Sequence, residues 1–174
     1  MLFRLAIYCL RSPQTAIYLW KKATALYGRT LRAFKAWVRA YPLKHGAYDI
    51  IHFEYSGLAV EYLDALPLLE PAKFLTSCRG TGEQIIPHLN SKRAEQLRRL
   101  FPLLHRVHCV SYDMKKTVTQ YGLLPDNSFV NHPSINVTQF RRNNPYEYSH
   151  TDPVKLLTVG RLHWKKGLDF GLLA

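Results

Sequence analysis

The chain has 174 residues, of which 47% are hydrophobic and 21% charged, with a net charge of +12 at neutral pH. This composition predicts a packed core and excludes wholesale disorder. Three cysteines, Cys9, Cys78 and Cys109, lie far apart with no C-x-x-C pair, so we expect reduced thiols rather than a disulfide framework or a zinc knuckle. The apolar run at residues 5–10 is too short for a membrane span or the core of a signal peptide.

Most of the positive charge lies in the first quarter of the chain. Residues 1–46 contain nine lysines and arginines and no acidic residue, whereas the rest contains 15 basic and 12 acidic residues. The basicity is therefore mainly a property of this N-terminal segment.

A long helix is predicted in this basic segment. Ser12 and Pro13 favour a helix start, and the helix is expected to end near Pro42. One face carries the apolar residues Ala16, Leu19, Ala23, Leu26, Phe34, Trp37 and Tyr41, and the opposite face carries Lys22, Arg29, Arg32 and Arg39. The helix is either a domain helix with a solvated charged side, or one that lies on an anionic membrane or acidic partner with Trp20 and Trp37 at the interface.

After residue 46, short apolar runs alternate with helical patterns. We expect strands at residues 48–53, 73–77, 107–110 and 129–131, and helices at 58–69, 92–104 and 112–121, the last capped by Ser111. A linker is predicted at 141–153, followed by a strand at 154–159, a loop at 160–164 and a helix from Lys165. This alternation indicates an α/β fold with a parallel sheet covered on both faces, whose ligands bind beyond the carboxyl ends of the strands.

Four segments resemble glycosyltransferases of family 4, also called group 1. Residues 154–169 are similar to the strand, loop and helix that open the second domain of that family, with Gly160-Arg161-Leu162 and then Lys166-Gly167. Upstream, residues 48–52, 107–114 and 130–140 match further family segments in the same order. The resemblance extends from residue 48 to residue 174.

The resemblance implies a GT-B fold, in which two Rossmann-like domains enclose the active site. It predicts a partial Rossmann-like acceptor-side domain at 47–140, a linker at 141–153 and the beginning of the donor-binding domain at 154–174. The basic helical segment at residues 1–46, inferred from the residue pattern, precedes them. The chain is then expected to be truncated at both ends of this fold. The family's Glu-x7-Glu motif would lie beyond residue 174, so we expect the isolated chain to lack transferase activity.

Arg161 and Lys166 are the residues expected to bind the donor diphosphate, as the matching residues do in the family. The Arg guanidinium presents several planar N–H donors and the Lys ammonium is a compact charge, so together they would stabilise a departing diphosphate without a metal. Gly160 belongs to the same cleft loop. The alternative is that both are ordinary basic surface residues beside a helix start.

Arg79, Gly80 and Gly82 stand where family members have a His-Gly-x-Asp loop on the acceptor side. Arg79 is a candidate catalytic or anion-binding residue, although an arginine cannot relay a proton at neutral pH. The two glycines are expected to let the chain turn after its strand. Glu83 is a candidate replacement for the missing acid.

The function expected from the resemblance is retaining sugar transfer from a UDP- or GDP-sugar to a glycan or lipid-linked acceptor, with no cofactor and no metal. His105 and His108 have a metal-like spacing but lack a third ligand, which favours structural roles. The alternatives are a non-enzymatic basic module that binds an anionic membrane or, less favoured, nucleic acid, and a remnant without function. We expect a cytoplasmic protein, either free or in peripheral contact with the inner face of the membrane.

Overall fold

The structure, a computed structural model, describes residues 12–142 and 156–173. It separates into two units, residues 1–134 and 135–174. Within the described ranges, no helix is long and apolar enough to cross a membrane.

The first unit begins with two helices, α1 (Pro13–Tyr27) and α2 (Leu31–His45). The expectation of one long helix is therefore wrong. Gly28 breaks it with a φ of 65°, a left-handed conformation that glycine adopts without strain. The Thr30 side chain then accepts a hydrogen bond from the Ala33 amide at 3.3 Å and caps α2. Apolar residues recur at helical spacing on both sides of Gly28, so their pattern did not indicate that the helix is interrupted there.

The predicted end of the helix near Pro42 is also wrong, since α2 continues to His45. Pro42 lies in the last turn of α2, where its missing N–H costs only one hydrogen bond. Its carbonyl accepts from the Gly46 amide at 3.1 Å, which closes the helix.

Small residues line the contact between α1 and α2. The buried side chains are Ala16, Leu19 and Ala23 on α1, and Ala33, Ala36, Ala40 and Tyr41 on α2. Two long side chains bind across the hairpin: Trp37 Nε1 donates to the Ala16 carbonyl at 3.0 Å, and the Tyr41 hydroxyl donates to the Ser12 carbonyl at 3.3 Å. Leu26 and Phe34, on either side of the break at Gly28, were expected on the buried face but are exposed.

Four parallel strands follow, and they confirm the predicted α/β class. They are β1 (Ile50–Phe53), β2 (Lys73–Cys78), β3 (Arg106–Cys109) and β4 (Ser128–Val130). They pair in parallel in the order β1-β2-β3-β4. This arrangement is consistent with a Rossmann-like fold.

The connections contain short helices: α3 (Ser56–Glu61), α4 (Thr81–Gln84), α5 (Ile86–Leu89), α6 (Ser91–Leu100) and α7 (Tyr112–Thr119). Single 3-10 turns lie at Leu66–Leu68, Phe101–Leu103 and Pro125–Asn127. The helices predicted at 58–69 and 92–104 are thus shorter than expected, since Pro67 and Pro102 favour 3-10 turns over a continuing helix. The cap of α7 is confirmed, because Ser111 Oγ accepts from the Met114 amide at 3.0 Å.

Only one face of the sheet is covered within the described residues, whereas the sequence pattern predicted cover on both. Most buried strand side chains share one face: Ile51, Phe53, Phe74, Thr76, Cys78, Val107 and Cys109. Ser77, on the opposite face, is also buried and contacts His52 and His108. Parallel crossovers are right-handed, so a sheet built in one direction receives every connecting helix on the same side. Apart from Ser77, the opposite face is exposed or half-buried.

The second unit contains a 3-10 turn at Trp164–Lys166 and the six-residue helix α8 (Leu168–Leu173). Residues 156–159 are not a strand, contrary to prediction, because a strand needs a hydrogen-bonded neighbour. Residues 154–155 of that prediction, and 143–153 of the predicted linker, lie outside the described residues. Phe170, Leu172 and Leu173 of α8 are exposed.

Candidate functional site

Arg79 lies at the carboxyl end of β2, at the edge where ligands of parallel sheets bind. Its Nη2 is 3.1 Å from Oε2 of Glu54, which follows β1 on the neighbouring strand. Both side chains are more than half exposed, at 54% and 64%. The structure therefore places Arg79 at the predicted edge, paired with a carboxylate that screens part of its charge.

Glu83 is buried below this edge and is bonded through both carboxylate oxygens. Oε1 accepts from the Ser56 hydroxyl, and Oε2 accepts from the Gly80 amide at 3.4 Å. Arg93 Nη2 lies 3.7 Å from Oε1, and the two side chains are only 11% and 5% exposed. Glu83 is thus directed into the protein, an arrangement that favours a structural role over acid catalysis.

Arg93 joins the loop after β2 to helix α6. Its Nε donates to the Gly82 carbonyl at 3.1 Å, and its Nη2 donates to Ser56 Oγ. Burial lowers the pKa of Arg93, while the carboxylate of Glu83 acts in the opposite direction. We refer to Ser56, Glu83 and Arg93 as the buried triad, and it holds the loop that carries Arg79.

The two glycines of this loop differ from expectation. The Gly80 backbone is extended, with a φ of 172°, and a Cβ added there would meet no atom within 4 Å. A Cβ on Gly82 would meet Arg93 Nη2 at 3.5 Å, an ordinary van der Waals distance. Neither position requires glycine on steric grounds.

Cys78 and Cys109 are buried next to each other on the covered face. Burial raises the pKa of Cys78, and the nearby carboxylate of Glu83 adds to the effect. Burial also raises the pKa of Cys109, to about 11. Both thiols are protonated at neutral pH and are poor nucleophiles. Cys9 lies outside the described residues.

Arg161 and Lys166 lie in the second unit, and both side chains are exposed. The Lys166 Cε is 3.9 Å from the position that a Cβ on Gly160 would occupy, so the glycine leaves room beside the lysine chain. Lys166 ends the 3-10 turn and precedes α8, rather than lying in the first turn of the helix as expected. Neither cation forms an ion pair with a carboxylate in the described ranges.

A row of polar side chains that the sequence analysis missed crosses the face of the sheet away from the connecting helices, with its central serine buried. Ser77 Oγ is 3.1 Å from both His52 Nε2 and His108 Nδ1, and His108 Nε2 is 2.9 Å from the Asn131 carbonyl. We refer to these three side chains as the histidine–serine row. The alternation of buried and exposed positions in each predicted strand would have placed all three on one face.

Two pockets lie at the amino ends of the strands, opposite the edge that carries Arg79. Their volumes are about 410 and 320 Å³, and both are lined by Pro71, Ala72 and Lys73. The larger also includes Tyr48 and Asp49. Of the residues considered for a site, His105 lines the smaller pocket, whereas Arg79 and Glu83 line neither.

The histidines with metal-like spacing each have partners of their own. His105 Nδ1 accepts from the Phe74 amide at 3.2 Å, whereas His108 belongs to the histidine–serine row. In the part of the chain that the structure describes, no group of three or more His, Cys, Asp or Glu could hold a metal ion. Comparisons with protein-family models, curated proteins and solved structures gave no match to this chain.

Proposed function

We propose that the chain belongs to a retaining, metal-independent glycosyltransferase that transfers a sugar from a UDP- or GDP-sugar to a glycolipid or polysaccharide acceptor. The observation that carries this proposal is the sequence Gly160-Arg161-Leu162 followed by Lys166-Gly167, in which both cations are exposed. The parallel sheet supports it, because its carboxyl edge carries Arg79 where ligands of such sheets bind.

The two cations of the second unit suit a diphosphate leaving group. The guanidinium of Arg161 can donate two parallel hydrogen bonds to phosphate oxygens, and the ammonium of Lys166 adds a point charge. Negative charge grows on the diphosphate as the sugar departs, so these cations bind the transition state more tightly than the ground state. Arg79 would attract an acidic or phosphorylated acceptor.

The isolated chain is expected to bind the donor without completing the reaction. Residues 156–159, which precede Arg161, form no strand and are exposed, so no sheet holds the loop in a catalytic geometry. Loss of such positioning by about 1 Å can cost on the order of a hundredfold in rate.

Binding of UDP and GDP to the purified chain, measured by isothermal titration calorimetry, tests the proposal. Replacing Arg161 and Lys166 by alanine should abolish binding, whereas Arg141→Ala, an exposed arginine of the same unit, should leave it unchanged. Absence of binding to either nucleotide, or equal loss in the Arg141 variant, would refute the proposal. Sugar transfer by the isolated chain would contradict the expected lack of activity.

A second candidate function, peripheral binding to an anionic membrane, is favoured by an aromatic patch on the helical hairpin. Trp37 lies with its ring centroid 5.8 Å from that of Trp20 and 5.9 Å from that of Phe34. Trp20 and Phe34 are 36% and 37% exposed, and each is followed in sequence by an exposed lysine, Lys21 or Lys35. Amphipathic aromatic rings favour the headgroup region, while lysines are attracted to anionic lipids.

Co-sedimentation with vesicles tests this second function. We expect binding to phosphatidylcholine vesicles that contain phosphatidylserine, little binding to phosphatidylcholine alone, and release at high salt. The double variant Trp20→Ser/Phe34→Ser should lose binding. The matched control Leu89→Ser/Tyr112→Ser, which removes two exposed apolar side chains elsewhere, should retain it. Equal binding by both variants would exclude the aromatic patch as the membrane contact.

A further inference from the structure

The exposed face of the sheet has the composition of a protein contact rather than of a solvated surface. We define this open face by the side chains of Ile50, His52, Leu75, His108 and Phe129, with Ser77 buried between the two histidines. Ile50 and Phe129 are 62% and 46% exposed. Parallel sheets are almost always covered on both faces, so an open one indicates a missing layer.

The polar groups of the open face bind one another. The Asn131 carbonyl can only accept, so His108 donates to it through Nε2, which leaves Nδ1 to accept from the Ser77 hydroxyl. Ser77 in turn accepts from His52 Nε2. Because these groups already have hydrogen-bond partners inside the protein, covering the face would leave few of them unsatisfied.

The charge at one end of the open face is positive. Lys73 and Arg106 are exposed and begin β2 and β3, where their side chains point to the same side as the histidine–serine row. The outward positions of the four strands carry no acidic side chain. An occupant with carboxylates at this end would therefore be complementary in charge.

We propose that the open face is the docking surface of an amphipathic helix from a separate protein, with apolar side chains over Leu75 and Phe129 and acidic side chains near Lys73 and Arg106. Four strands about 4.8 Å apart span about 14 Å, which accommodates one helix of about 10 Å diameter. This inference does not depend on the sugar-transfer function.

The alternatives fit the face less well. A second copy would bring cations against cations in a chain of net charge +12. Single-stranded nucleic acid needs free aromatic faces for stacking, but the Phe129 ring is stacked on His108, with centroids 5.4 Å apart and planes at 25°.

Two synthetic helical peptides of about 18 residues test the proposal, each with leucines along one side. One carries glutamates beside the leucines and the other carries lysines at the same positions. Fluorescence anisotropy with the full chain should show binding of the acidic peptide, and at least about tenfold weaker binding of the basic one. The double variant Lys73→Glu/Arg106→Glu should reverse this preference.

The matched control is Lys92→Glu/Lys116→Glu, which makes the same change in net charge on helices of the covered side and should leave peptide binding unchanged. Phe129→Ser, at an exposed position, gives a second variant that should weaken binding without altering charge. Far-UV circular dichroism confirms that each variant is folded.

Four results would overturn the proposal. The first is equal peptide binding by the Lys73/Arg106 and Lys92/Lys116 variants. The second is a dimer of the chain that Lys73→Glu dissociates. The third is binding of an oligonucleotide that requires Arg106, while the acidic peptide does not bind. The fourth is protection of His52 from diethylpyrocarbonate in the isolated chain, which would mean that a segment of the same chain covers the face.

Discussion

Replacing Glu83 by glutamine removes one charge from the buried triad while keeping the size of the side chain. The amide oxygen can still accept from Ser56 or from the Gly80 amide, but the guanidinium of Arg93 loses its anion. Since the Arg93 side chain is only 11% exposed, water can replace little of that interaction. Breaking a buried pair in this way costs about 3 kcal/mol in the free energy of unfolding.

Urea denaturation followed by circular dichroism measures this cost. With a urea dependence of about 2 kcal/mol per molar, the midpoint of Glu83→Gln should fall by about 1.5 M. The matched control is Glu54→Gln, which breaks the exposed pair with Arg79 at the same sheet edge. It should cost less than about 0.5 kcal/mol, because solvent screens exposed ion pairs.

A double variant separates the charge interaction from the loss of packing. In Glu83→Gln/Arg93→Met neither charge remains. The double variant should therefore lose about 2 kcal/mol less unfolding free energy than the two single variants lose together. Equal costs for Glu83→Gln and Glu54→Gln would refute the argument, as would strict additivity of the two changes in the buried triad.

Three further predictions concern the backbone and one histidine. Gly28→Ala should cost about 1 kcal/mol in unfolding free energy because of the left-handed φ, whereas Gly80→Ala, in extended backbone, should cost less than about 0.5 kcal/mol in the same urea experiment. Pro42→Ala should raise thermal stability by about 1 kcal/mol, because it supplies the N–H missing from α2; a lower melting temperature would contradict this. Burial lowers the pKa of His105 from its ordinary 6.5, and Nδ1 accepts from the Phe74 amide, so the folded state favours the neutral ring. Stability should therefore be complete above pH 6.5 and fall below it, and His105→Gln should reduce that fall in a series of urea titrations.

Local patterns predicted the sheet well, because each strand has regularly spaced buried positions and lies close to residues that end regular secondary structure. All four strands predicted between residues 48 and 131 are present, and the Ser111 cap is confirmed by its bond to the Met114 amide. The strand at 154–159 was predicted by the same kind of pattern, but residues 156–159 are exposed coil. A strand pattern predicts extended backbone only where a partner strand is available, and composition alone does not supply one.

Long-range contacts were the main source of error at the candidate site. Glu83 was recognised as an acid near the loop after β2, but its burial depends on Arg93, ten residues further along on another helix. The position of an arginine within its own helix does not predict which buried carboxylate it contacts. The histidine–serine row was accessible in principle, because strand alternation fixes which residues share a face.

The order of the strands has a consequence for how the first unit forms during synthesis. Each strand after β1 pairs with the strand that precedes it in the chain, so its partner has already been translated. Sheets in which a central strand comes late in the sequence must leave earlier hydrogen-bonding edges empty until it arrives. Here the sheet can add one strand at a time as the polypeptide leaves the ribosome. At each stage, only the most recently made strand waits for a partner that has not yet been translated.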